Sequence, residues 1–300
     1  MKKLTLLLLI LSNYNLNAQK INRNTLLNDI QTLSSDSFEG RKTGSTGNLK
    51  AADYITNRFE EIGLKSYNQN YRHPFTFRNR RNEQIQGINL IGCIKGKSEN
   101  VIIISAHYDH VGINNSEIFN GADDNASGVA VILASAKYFT ENKPLNTLLF
   151  VAFDAEEMGL QGAYSFLNNP PIPKELIKLT INLDMVSHND KSELYVAGTF
   201  KSPAIKDIIQ NADQNTGISI KFGHDQPDMG KDDWTMQSDH GPFAKENIPF
   251  LYFGVEDHKD YHKPSDDFDN INPNFFYSAS TAILKSIISL DKNLDRINPK

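Results

Sequence analysis

Four short, nearly continuous apolar runs constrain the fold of this chain more than any other feature: Val101 to Ala106, Thr147 to Phe153, Leu179 to Leu183 and Pro249 to Phe253. Runs of this length without polar alternation are expected of strands covered on both faces, as at the centre of a parallel sheet. Stretches with helical spacing lie between them, at Ser127 to Phe139, Leu160 to Leu167 and Ser202 to Thr216. Strands alternating with helices predict an α/β fold: a single domain with a central, mostly parallel mixed β-sheet flanked by helices. Upstream, Ala51, Tyr54, Ile55, Phe59 and Ile62 share one face of a helix that Gly63 is suited to cap. Phe75 to Phe77 and Ile85 to Ile94 read as the strands of a hairpin, and Asn274 to Leu290 as a final amphipathic helix. No repeat and no Pro/Gly-rich break interrupts the pattern, so one domain over residues 22–290 is expected.

Of the 300 residues, 39% are hydrophobic and 22% charged, which rules out a disordered or collagenous chain and supplies one large core. The long apolar run Leu4 to Leu11 falls short of the roughly 18 residues needed to span a bilayer. Lys2 and Lys3 precede it and a polar stretch leads to Ala18, the layout of a cleavable signal peptide over residues 1–18. Export to the periplasm or the medium is therefore expected. Cys93 is the sole cysteine, so no intramolecular disulfide forms and no cysteine stands at the cleavage point to carry a lipid; no membrane anchor is expected in the mature protein. Removing the two lysines takes the net charge from −5 to −7, which disfavours nucleic acid as a partner. The basic cluster Arg78, Arg80 and Arg81 reads as a solvated loop or hairpin.

In an open parallel sheet, ligands gather beyond the carboxyl ends of the strands, where loops converge. His107, Asp109 and His110 follow the first apolar run, Asp154, Glu156 and Glu157 the second, and Asp184 the third. Asp123 and Asp124 precede a helix, and His262 and Asp266 lie past the last run. Like charges about 4 Å apart repel by about 4 kcal/mol at an effective dielectric of about 20, so acids crowded at one edge must protonate or bind metal. Two divalent ions would balance three carboxylates and one hydroxide, and imidazole with carboxylate but no thiolate suits zinc.

These residues sit in motifs: Asp36-Ser37-Phe38-Glu39-Gly40-Arg41, Thr43-Gly44-Ser45-Thr46-Gly47, His107-Tyr108-Asp109-His110 and Gly121-Ala122-Asp123-Asp124-Asn125-Ala126-Ser127-Gly128. Glu156-Glu157-Met158-Gly159-Leu160-Gln161-Gly162, Asn182-Leu183-Asp184-Met185, Ser238-Asp239-His240 and Tyr261-His262-Lys263-Pro264-Ser265-Asp266 follow in order. From about Leu33 to Asp267 the chain resembles the M28 family of zinc-dependent peptidases, the bacterial double-zinc aminopeptidases. The resemblance implies two zinc ions per chain. Asp124 would bridge them, with His107 and Asp184 completing one site and Glu157 and His262 the other. It further implies that Glu156 is the general base, acting with a bridging hydroxide, that Asp109 orients His107, and that Asp266 does the same for His262. Peptides are the implied substrates, cleaved at their N-terminal residue because a free α-amine binds the cluster.

Each residue also has a plainer reading. Asp123 and Asp124 suit helix capping, Glu156 and Glu157 a solvated loop, and His107 an ordinary hydrogen-bonded histidine. His258 competes with His262, and the Tyr-His-x-Pro-x-Asp pattern favours the latter. His110 and His240 are read as outer contacts or structural groups, Trp234 as a surface-loop residue or part of the pocket mouth, and His73, His188 and His224 carry no signal. Two other functions stay open: a glutaminyl cyclase on the same fold, suggested by Asp239-His240-Gly241-Pro242-Phe243, and a non-catalytic peptide-binding relative. His107 speaks against an animal-type cyclase, which lacks the first histidine ligand, and Glu156 against loss of chemistry.

Overall fold

A computed structural model describes residues 21–67, 70–212 and 215–297; the signal-peptide reading of residues 1–18 lies outside them. In chain order the strands are β1 (Lys65–Ser66), β2 (Arg72–Arg78), β3 (Gln84–Ile94), β4 (Ser98–His107), β5 (Gly112–Asn114), β6 (Glu117–Phe119), β7 (Asn146–Phe153), β8 (Ile177–Leu183), β9 (Glu193–Ala197), β10 (Ser219–Phe222) and β11 (Phe250–Gly254). The α-helices are α1 (Arg23–Leu33), α2 (Thr46–Ile62), α3 (Gly128–Glu141), α4 (Gln161–Asn168), α5 (Pro203–Asn211), α6 (His240–Lys245), α7 (Pro273–Lys292) and α8 (Leu294–Ile297).

The four apolar runs become four adjacent parallel strands, in the spatial order β7-β4-β8-β11. Ile104 lies opposite Phe150 on one side and Ile181 on the other, and Phe253 pairs with Leu183. Antiparallel strands flank this centre: β3 against β7, carrying β1 and β2, and β9 against β11, with β10 outermost. Alternate side chains enter two apolar layers. Ile102, Ile104, Leu148 and Phe150 face one, with Leu26, Ile55, Ile132, Ile205 and Phe276 from α1, α2, α3, α5 and α7. Ile103, Leu149, Val151 and Phe153 face the other, with Phe166 of α4 and Phe243 of α6. Each such aliphatic or aromatic side chain contributes about 1.5–3 kcal/mol when fully buried.

Because β4, β7, β8 and β11 run the same way, their carboxyl ends open on one edge of the sheet. The expected helices form with small shifts. Ser45 caps α2 by accepting from the Asn48 amide, and Gly63 closes it at φ 87°. The helix predicted to reach Thr216 stops at Asn211, because Ala212 turns to an extended conformation (φ −66°, ψ 139°). Arg80 and Arg81 lie in the exposed β2–β3 turn, as a solvated hairpin requires. Among the described residues, no helix is long and apolar enough to cross a membrane.

Candidate metal centre

The carboxyl end of β4 delivers His107, the segment after β7 delivers Glu156 and Glu157, the end of β8 delivers Asp184, and the loop after β11 delivers His262. Asp124 comes from the turn that opens α3, where a side chain at Gly128 would place its Cβ 2.5 Å from the Leu183 carbonyl oxygen. The packing of α3 on the sheet therefore needs glycine there. These elements place Asp124 between two groups. Its Oδ1 lies 3.4 Å from His107 Nε2, which is 3.3 Å from Asp184 Oδ1. Its Oδ2 lies 3.1 Å from His262 Nε2, which is 3.4 Å from Glu157 Oε1. Donors sharing one tetrahedral zinc are separated by about 3.3 Å, given bonds of about 2.0–2.1 Å. Asp184 Oδ1 and Glu157 Oε1 are buried without a hydrogen-bond partner, as expected of atoms aimed at a cation. The residues present thus fit a divalent-metal centre.

His110, read as an outer or structural residue, belongs to this cluster: its Nδ1 lies 2.9 Å from Glu157 Oε1 and 3.7 Å from Asp124 Oδ2. Neither of its ring nitrogens has a hydrogen-bond partner. His258 faces the other way, with Nε2 at 3.0 Å from Asp123 Oδ2, whereas His262 faces Asp124. Asp266 does not serve His262. Its carboxylate accepts from the backbone amides of Asp123 (2.8 Å) and Asp124 (3.0 Å), so it fixes the turn that carries Asp124. Asp109 is expected to orient His107 with its carboxylate, but the contact at 3.0 Å from Nδ1 is with its main-chain carbonyl. Its carboxylate stands 3.7 Å away and accepts instead from the amides of Glu156 (3.0 Å) and Glu157 (3.3 Å), setting the two glutamates in place.

Arg41, in the sequence merely one member of the Asp36–Arg41 motif, is a central support of the fold. Its guanidinium is fully buried and donates to the carbonyls of Leu33, Tyr108, Asn120 and Gly121 at 2.5–2.8 Å. Burial lowers its pKa to about 10, against the pull of Asp266, Asp124, Asp109 and Glu157, so it stays charged near neutrality. Asp154 plays a similar part below β7, accepting from Thr43, Asn48, Tyr108 and the Ile88 amide. Nothing local in the sequence marks Arg41, because its partners lie 8 to 80 residues away.

Electrostatics follow from the crowding. Burial raises the Glu156 carboxyl well above its usual range, reinforced by Asp239, Asp184 and Glu157 and opposed by His107. The site opens into a cavity of about 90 Å³, and Trp234 lines it, together with Tyr252 and Tyr261. Trp234 thus lines the pocket, and His224 stacks on it at 3.8 Å. A larger cavity of about 420 Å³ lies between α1, α2 and α3, but none of these acids or histidines reaches it.

Fold and site together define an α/β protein built around a histidine–carboxylate cluster suited to divalent cations. The chain belongs to peptidase family M28, whose model matches residues 89–287. Family and donor set both imply zinc. Over 238 residues the chain is 29% identical to leucine aminopeptidase 2 of Trichophyton rubrum, covering 69% of this chain and 45% of that protein. Two solved structures share the fold with a TM-score of 0.74: a zinc aminopeptidase from Bacillus subtilis (16% identity, 90% of this chain, 95% of that one) and the Porphyromonas gingivalis glutaminyl cyclase (19%, 90% and 99%). The chain spans about half the length of the curated relatives it matches.

Proposed function

We propose that this protein is an exported zinc-dependent aminopeptidase that removes N-terminal residues from peptides. One observation carries the reading: the two oxygens of Asp124 face separate groups, His107 with Asp184 and His262 with Glu157, and Glu156 borders the same cavity. Bound zinc would polarise the scissile carbonyl and lower the pKa of bound water, so that losing a proton to a nearby base makes it nucleophilic. In this reading His107, Asp184 and Asp124 would hold one ion, and Asp124, Glu157 and His262 the other. Glu156 takes a proton from the attacking water as its oxygen bonds to the carbonyl carbon. It returns that proton to the leaving amine nitrogen as the C–N bond breaks, a task suited to a carboxyl whose pKa burial has raised. Asp109 positions Glu156 through the backbone amide and His107 through its carbonyl. The cavity's small volume and acidic lining favour a free α-amino group over an internal peptide segment. Export rests on the Lys2-Lys3 start, the apolar run and Ala18.

A glutaminyl cyclase is the second reading, favoured by the fold shared with the P. gingivalis enzyme and weakened by His107 beside Asp184. Glu156→Gln should retain its zinc and lose at least about a hundredfold in kcat on aminoacyl anilides, the range of general-base removal. Near wild-type turnover would refute the role of Glu156. Peptides beginning with glutamine should lose that residue by hydrolysis; a product lighter by ammonia alone would establish the cyclase.

A further inference from the structure

A second cluster of metal-binding side chains lies behind Asp123, apart from the centre above. His188, His258 and Asp260 each offer one donor atom, and these atoms lie within 4.8 Å of one another. The two imidazoles stack at 4.0 Å with 14° between their planes, and His188 Nδ1 is 4.0 Å from Asp260 Oδ2. Asp260 is 5% exposed; Ser265 satisfies its Oδ1 at 2.7 Å, while Oδ2 is buried without a partner. His258 is held from behind. Its Nε2 lies 3.0 Å from Asp123 Oδ2, and the amide and hydroxyl of Ser187 occupy Asp123 Oδ1 at 2.6 and 2.8 Å. An Nε2–H donated to Asp123 leaves Nδ1 as the basic nitrogen, and it accepts only a long 3.3 Å bond from the Asp260 amide. A carboxylate that orients a histidine through its far nitrogen is the usual outer support of a metal ligand.

We propose that His188, His258 and Asp260 form a further cation site, selective for zinc or a similar first-row transition ion. Two imidazoles and one carboxylate favour such ions over calcium or magnesium, which take oxygen ligands. Binding needs the His188 ring to turn out of its stack on His258, because lone pairs lying in two near-parallel ring planes do not meet at one ion, and needs His188 Nδ1 and Asp260 Oδ2 to close from 4.0 Å to about 3.3 Å, the spacing of donors on one tetrahedral zinc. The cation neutralises Asp260 and joins two segments: the one after β8, which carries Asp184 and His188, and the loop after β11, which carries His258, Asp260 and His262. It would thereby brace the loop that presents His262.

Zinc ion alone, titrated into the full chain and followed by equilibrium dialysis with elemental analysis, tests the site. His188→Asn should saturate with one zinc fewer than wild type, whatever the wild-type total. Asp260→Asn, which keeps an acceptor for Ser265, should match it. His107→Ala with Glu157→Ala, which removes ligands of the first centre, should still bind the ion that His188→Asn loses. Zinc should also raise the melting temperature of wild type more than that of His188→Asn, a comparison valid even where Asp260→Asn fails to fold. Equal zinc content in wild type and His188→Asn would overturn the proposal. A failed aminopeptidase assay would leave this stoichiometry intact and so bear only on the proposed activity.

Discussion

Replacing Arg41 tests how the centre is supported. The guanidinium donates to four main-chain carbonyls, those of Leu33, Tyr108, Asn120 and Gly121, with no exposure to water. Arg41→Met preserves much of the side chain's bulk and removes every donor. Each carbonyl left unpaired in the interior costs about 1–3 kcal/mol, and shared relaxation keeps the total near the low end of the sum, about 5 kcal/mol. The charge lost also faced Asp266, Asp124, Asp109 and Glu157, so their mutual repulsion rises in metal-free protein. At about 2 °C per kcal/mol for a chain of this size, the melting temperature should fall by about 10 °C. Arg41→Lys restores the charge but offers a point donor in place of a planar fork, and should recover less than half of the loss. Urea unfolding and thermal melts of metal-free and zinc-loaded protein measure both terms. Zinc affinity should fall as well, because the Tyr108 and Gly121 carbonyls flank the turns that carry His107 and Asp124. Arg41→Met unfolding within about 1 kcal/mol of wild type would refute the reasoning, since even one orphaned carbonyl costs that much.

Two other outcomes follow from single residues. Burial lowers the His240 pKa to about 4, and its Nε2 pairs with the Trp234 carbonyl at 2.8 Å. Its folded pKa lies below the unfolded value of about 6.5, so its stabilising share is complete above pH 6.5 and is lost as pH falls toward 4, about 3 kcal/mol in all. Unfolding of metal-free protein across that window should show this loss in wild type and less of it in His240→Asn; parallel curves would disprove it. Trp234→Ala should raise KM about tenfold with little change in kcat, the loss of one aromatic wall worth about 1.4 kcal/mol. A fall in kcat at constant KM would instead place Trp234 in the chemistry.

The parallel sheet centre, the two-sided burial of β4, β7, β8 and β11, and the edge on which the acids collect were legible along the chain, while the spatial order β7-β4-β8-β11 was not. Burial on both faces demands an unbroken apolar run, and that demand is local. Helix α1 and the outer strands β9 and β10 escaped notice. β10 alternates exposed and half-buried positions and lies at an edge, so its sequence Ser219–Phe222 resembles a loop. Residue chemistry likewise marked a crowd of acids and imidazoles at that edge as a place for cations, and the resemblance to M28 peptidases singled out His107, Asp124, Glu157, Asp184 and His262 among them. Where each donor points was decided by tertiary structure. His258 and His262 stand four residues apart, and only the course of the loop after β11 turns one toward Asp123 and the other toward Asp124. The same holds for Asp109, which offers His107 its carbonyl while its carboxylate holds two glutamate amides, and for Asp266, which holds amides of the Asp124 turn. Composition and periodicity record what must be buried and what must be bound; directions of hydrogen bonds arise from contacts between distant segments, and no local pattern encodes them.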